Sequence, residues 1–217
     1  MERSTNFTTD DVDLFTSPSR IIIAGYSNSG KSELCKKIIT KYEGKFDLII
    51  YCGTDRHDLE ESGISDKFKV YKDLINPFDH TDFIEKGVLI IIDDLFTEAI
   101  NNKNITEAFT KGRHKKISLI FITQNIFASG KYARNIALNS SHFILMRNRD
   151  MSQIENLGRQ IFGREKGKNL VEVYQKSLSY NKYGYLLIDL SPETSEELQL
   201  RTNIVDETPY EVVFQEM

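Results

Sequence analysis

The octapeptide Gly25-Tyr26-Ser27-Asn28-Ser29-Gly30-Lys31-Ser32 constrains this chain more than any other stretch. Two glycines set apart in this way, followed at once by Lys and Ser, let the backbone curl around phosphates with its N–H groups inward. Lys31 then reaches the β- and γ-phosphates as a point charge, and the Ser32 hydroxyl ligates Mg²⁺. Such a loop needs a buried strand before it and a helix behind it. Arg20-Ile21-Ile22-Ile23-Ala24 supplies the strand, and Leu34, Ile38 and Ile39 fall on one face of the following helix. A chance glycine turn would carry neither flank.

The rest of the chain keeps to the same alternation. Short apolar runs at 20–24, 46–51, 87–92, 117–123, 142–146 and 185–190, with a weaker one at 68–71, read as strands. Helical patterns fall at 31–42, 105–111, 132–138, 152–162 and 168–177. The expected fold is α/β: a phosphate-loop nucleoside triphosphatase (P-loop NTPase) with a mostly parallel central sheet flanked by helices. At 217 residues and 40% apolar composition, one domain with small appendages fits. We expect a flexible N-terminal arm at 1–19, with Phe7 and Phe15 as the residues that could tie it down. An ATPase domain at 20–205 and an acidic tail at 206–217 complete the division.

Two further apolar strands end in polar residues. Val88-Leu89-Ile90-Ile91-Ile92 runs into Asp93 and Asp94. In a phosphate-loop fold the first acid holds Mg²⁺, mostly through water. The second orients and deprotonates an attacking water. The alternative for Asp94 is a helix cap. Ile117 to Thr123 runs into Gln124 and Asn125, placing an amide at the same sheet edge, where ligands bind. Gln124 would read the γ-phosphate and position water. Just before that strand stands the basic cluster Lys111-Gly112-Arg113-His114-Lys115-Lys116. It is either a surface turn or the source of an arginine finger for a neighbouring subunit, because it lies at the far edge from its own phosphate loop.

Net charge is only −4, but 102–168 holds 13 Lys/Arg against 4 Asp/Glu, a surplus of +9. Residues 189–217 hold 8 Asp/Glu against one Arg. Such asymmetry marks either a polyanion-facing surface or a solvated basic face. Cys35 and Cys52 read as buried small apolar residues in a reducing compartment, and the histidines at 57, 80, 114 and 142 are too scattered for a structural zinc site. No run is long enough to span a membrane, and the N-terminus lacks a signal-peptide core, so secretion is not expected.

Taken together, GYSNSGKS, LIIIDD and GRHKKISLIFITQN resemble the FtsK/HerA superfamily of DNA-pumping ATPases. Within it the chain is most similar to the viral genome-packaging ATPases, of the poxvirus type and of the compact type found in Polintons and adintoviruses. Gly130-Lys131-Tyr132-Ala133-Arg134-Asn135-Ile136-Ala137-Leu138-Asn139 matches the compact type, as do the stretches at 157–162, 183–190 (YGYLLIDL) and 200–204 (LRTNI). The resemblance spans about residues 18–205. It implies that Lys31 and Ser32 bind ATP and Mg²⁺, that Asp93 and Asp94 form the Walker B pair, that Gln124 is the sensor and that Arg113 is the trans-acting finger. It further implies a homo-oligomeric ring of five or six subunits, double-stranded DNA and a viral capsid vertex as partners, and action in an infected cell, in the nucleus or a cytoplasmic factory. Many members of the superfamily place Glu where this chain has Asp94, one methylene shorter.

Three functions compete on the sequence. A DNA-packaging ATPase accounts for every element. A phosphate-loop kinase of a nucleotide or small molecule explains the loop and the basic residues but neither the doubled acid nor the Thr-Gln strand end. A regulatory GTPase would need an Asn-Lys-x-Asp motif, which the chain lacks. Lys131, Arg134, Arg147, Arg149, Arg159, Arg164, Lys166 and Lys168 are the basic residues from which DNA contacts would be drawn.

Overall fold

The computed structural model describes residues 6–8, 13–53, 66–82, 84–127, 130–205 and 210–213, with the backbone alone at 6–8 and 210–213. Ten strands form one sheet: β1 (Asn6–Thr8), β2 (Arg20–Ala24), β3 (Leu48–Cys52), β4 (Phe68–Tyr71), β5 (Val88–Ile92), β6 (Ile117–Thr123), β7 (His142–Met146), β8 (Tyr185–Asp189), β9 (Leu200–Thr202) and β10 (Tyr210–Val213). Their order is β1-β10-β9-β8-β7-β2-β6-β5-β3-β4. The six strands from β7 to β4 are parallel, and β8, β9, β10 and β1 add on antiparallel.

Strand polarity decides where function sits. The carboxyl ends of β2, β3, β5, β6 and β7 all meet one edge of the sheet. Because β8 runs the other way, its beginning arrives there too.

Alternate residues divide between the two faces, as a pleated strand requires. Ile21, Ile23, Ile49, Leu89, Ile91, Ile120 and Ile122 pack beneath α1 (Lys31–Tyr42), together with Leu14 and Phe15. Ile22, Ile50, Ile90, Leu119 and Phe121 face the remaining helices. These are α2 (Phe96–Ala99), α3 (Lys103–Lys111), α4 (Ala133–Leu138), α5 (Met151–Phe162) and α6 (Arg164–Ser177). Burial on both faces explains why the strands read as unbroken apolar runs. Local chemistry fixes the helix starts. The Asn102 side chain accepts from the N–H groups of Asn104 and Ile105, and Asp150 accepts from that of Ser152. No helix among the described residues is long and apolar enough to cross a membrane.

The terminal segments take part in the sheet. Phe15 stacks edge-on against Tyr42 and Phe46, which holds 13–19 to the body. The side chain of Phe7, His57, and residues 206–209 and 214–217 of the expected acidic tail lie outside the described residues. Within that tail, 210–213 is a strand, paired with β1 on one side and β9 on the other.

β9 holds the least expected feature, the fully buried Arg201. Its Nη2 donates to Asp189 Oδ2, and His142 Nε2 lies 3.2 Å from Asp189 Oδ1. Burial alone would raise the Asp189 carboxyl. The His142 hydrogen bond and charge, the Ser191 N–H and Arg201 outweigh it and hold the group well below the usual carboxylate range.

Candidate active site

The phosphate loop leaves β2 with its first N–H, that of Gly25, donating to Thr123 O at 3.2 Å, and the next, that of Tyr26, donating to Arg147 O at 3.1 Å. It is thus tied to the ends of both neighbouring strands. The curl comes from left-handed backbone at Asn28 (φ 63°) and Gly30 (φ 96°). Gly30 also stands where α1 begins, and no side chain caps that helix, so its first N–H groups remain available to an anion. The Lys31 ammonium folds back into the loop, donating to Gly25 O at 2.8 Å and Tyr26 O at 3.0 Å. Partial burial pulls its pKa below the ordinary lysine value, while Asp93 and Asp94 pull it back up.

Asp93 directly follows β5, beside Cys52, whose carbonyl accepts the Asp93 N–H at 2.9 Å. Its side chain is buried, and the Tyr51 hydroxyl donates to Oδ2 at 2.6 Å. Sequence reasoning did not find Tyr51. Its partner lies 42 residues away, and only the pairing of β3 with β5 brings them together. Asp94 follows in left-handed backbone (φ 57°), a conformation that Asp tolerates better than most residues, and is exposed. Gln124 rides on a tight turn in which Thr123 Oγ1 accepts the Asn125 N–H at 3.1 Å and donates to Asn125 O at 3.0 Å.

Four of the expected residues meet. Lys31, Asp93, Asp94 and Gln124 line one cleft of about 230 Å³, with Phe96, Ile122, Thr123 and Asn125 completing its wall. Ser32 follows Lys31 in the first turn of α1. Its hydroxyl and the Asp93 carboxylate are hard oxygen donors of the kind Mg²⁺ takes alongside phosphate oxygens and water.

Arg113 does not join them. It lies in the turn Gly112–Lys115, at the opposite end of β6 from Gln124, roughly 20 Å away by strand rise. There it pairs with Glu193 at 3.5 Å, both side chains about half exposed. It also stands near enough to Arg20 that, after burial, its charge is the second cause lowering the Arg20 pKa.

The fold agrees with comparisons to known proteins. Over residues 60–211 the chain matches the family described as Poxvirus A32 protein. It belongs to that family. The matched span carries Asp93, Asp94, Arg113 and Gln124, while the phosphate loop precedes it. Comparison with curated protein sequences gives no match. Among solved structures, this A32-family chain is similar to B204, the DNA-packaging ATPase from Sulfolobus Turreted Icosahedral Virus (TM-score 0.59, 16% identity, 87% of this chain and 98% of that one). It is similar also to the genome packaging NTPase B204 from Sulfolobus turreted icosahedral virus 2 in complex with ATP-gammaS (TM-score 0.57, 18% identity, 86% and 97%). EssC (ATPases 2 and 3) from Geobacillus thermodenitrificans shares the fold more distantly (TM-score 0.50, 10% identity, 92% and 40%).

Proposed function

We propose that this chain is the ATP-hydrolysing subunit of a motor that drives double-stranded viral DNA into a preformed capsid. The observation that carries the reading is the convergence of Lys31, Asp93, Asp94 and Gln124 on one cleft at the mouth of the phosphate loop, in a chain of the A32 family. The loop N–H groups and the start of α1 hold the triphosphate, and Lys31 exchanges its carbonyl partners for phosphate oxygens. Ser32 and Asp93 would hold Mg²⁺, with the Tyr51 hydroxyl fixing the Asp93 carboxylate. When bound, the ion neutralises charge on the β- and γ-phosphates. Asp94 takes the proton of the attacking water, and Gln124 orients that water against the γ-phosphate.

Arg113 completes the site of a neighbour. Its distance from its own cleft requires a second subunit, and a ring of five or six gives each cleft such a neighbour. The exposed Lys131 and Arg134 are suited to DNA phosphates, contacts that carry no sequence information. Arg149 is less available, since its guanidinium stands 5.2 Å over the Tyr26 ring of the phosphate loop. A kinase of a small molecule is not favoured by the family. The deciding experiment is ATP turnover with no acceptor present. Phosphate release that rises on adding duplex DNA supports the motor, whereas turnover that requires a small-molecule acceptor overturns it.

A further inference from the structure

The phosphate loop has two flanks, and the chemistry above uses the one toward β5 and β6. On the flank toward β7 and β8 lies a second cavity, of about 320 Å³, lined by Tyr26, Asn28, Ser29, Arg147, Lys182 and Tyr183. Pockets that hold small ligands begin at about 300 Å³. Its walls are fixed from behind. A Cβ placed on Gly30 would stand 2.8 Å from Cδ1 of Tyr183, so this ring packs directly on the loop backbone. Asn181 sets the ring's position: its side chain accepts the Tyr183 N–H at 2.8 Å and donates to Asn203 Oδ1 at 3.1 Å. Across the cavity, the backbone around Arg147 is pinned by the buried Tyr174 hydroxyl. That group donates to Met146 O at 2.9 Å and accepts the Asn148 N–H at 2.7 Å.

Two features of this cavity ask for a ligand. Tyr183 keeps 45% of its surface exposed although its turn is so firmly held. The buried Ser29 hydroxyl, in the cavity lining, has no hydrogen-bond partner among the described residues, a condition that costs free energy until a partner arrives. A triphosphate whose γ end faces Asp94 and Gln124 leaves the loop on this opposite flank. We propose that the cavity receives the nucleoside end of the bound nucleotide, with the purine base stacked on the Tyr183 ring and Arg147 and Lys182 beside the ribose and α-phosphate. This rests on the phosphate-loop reading above. The Lys182 ammonium stands 5.2 Å from the centre of the Tyr183 ring. Lys182 is exposed and its stem is flexible, so it swings from the ring to the phosphate as the base arrives.

Calorimetric titration of the full chain with ATP and with inorganic triphosphate separates the nucleoside contribution from that of the phosphates. Tyr183→Ala should weaken ATP by roughly tenfold, the effect of losing one stacked base, and leave inorganic triphosphate unchanged. Tyr183→Phe should bind both as the native chain does. The sequence contains no Trp, so Tyr183→Trp creates a single emitter whose fluorescence ATP should quench and inorganic triphosphate should not. Equal weakening of both ligands in Tyr183→Ala, or equal responses to both in Tyr183→Trp, would overturn the nucleoside subsite alone. A native chain that binds neither ligand would instead overturn the phosphate-loop reading and this proposal with it.

Discussion

Single atoms divide the labour of the cleft. Lys31→Ala removes the charge facing the β- and γ-phosphates, so nucleotide binding should be lost. Asp94→Asn keeps the shape and suits the same left-handed backbone, so ATP should still bind while turnover falls by about 10²- to 10⁴-fold, the usual worth of a positioned base. Measuring affinity and turnover in both variants checks the assignment, and native turnover in Asp94→Asn would remove Asp94 as the base. Tyr51 acts one step back. Tyr51→Phe deletes only the hydroxyl that donates to Asp93, so the Mg²⁺ concentration for half-maximal hydrolysis should rise by about 10- to 100-fold. A Mg²⁺ titration at saturating ATP reads this directly. An unchanged midpoint would mean that the hydrogen bond orients nothing.

Between residue and molecule, the elements explain two motifs that resemblance alone left without a role. Asp189 lies in YGYLLIDL and Arg201 in LRTNI; β8 and β9 bring them into one buried ion pair. Asp189→Asn takes the carboxylate out of this buried ion pair and should cost about 3–5 kcal/mol, read as a lower urea midpoint. The depressed Asp189 pKa has a matching sign. Its contribution is full above the unfolded value, about pH 4, and is lost as pH falls through the folded value, so the native chain should weaken on acidification. The same pair shows what the sequence could and could not reveal. The seven strands expected from 20 to 190 are present, because burial on both faces leaves only apolar residues to read. The short β9 went unseen, since an Arg at its centre reads as surface until Asp189 is known to face it. The two-strand edge of β1 and β10 carries no comparable pattern. In the cleft, Asp93, Asp94 and Gln124 were legible because apolar strands run straight into them, and Lys31 because the two glycines of its loop precede it at a fixed spacing. Tyr51 and Tyr183 were not, since their partners are set by strand neighbours and turns rather than by spacing.

At the scale of the whole molecule, the test is cooperation between chains. Arg113→Ala should leave ATP binding nearly intact, because a finger acts on the transition state, and should slow hydrolysis by about 10³- to 10⁵-fold. Mixed with Lys31→Ala, it should regain activity at interfaces where an intact loop meets an intact Arg113, and only at concentrations that permit association. No rescue between co-assembled subunits would take Arg113 out of the site. DNA binding, motivated by the +9 surplus across 102–168, should ignore sequence, and log K should fall by about 0.9 per neutralised phosphate for each decade of salt. A binding curve flat in salt would argue against it. The pairing of β1 with β10 also decides how the sheet answers to force. Asn6 lies opposite Val212, so pulling the first and last strands apart breaks their hydrogen bonds one pair at a time, like a zipper, rather than all together in shear. Force applied through those strands would therefore peel β1 from β10 pair by pair, whereas the parallel strands of the body are each held by a neighbour along their length.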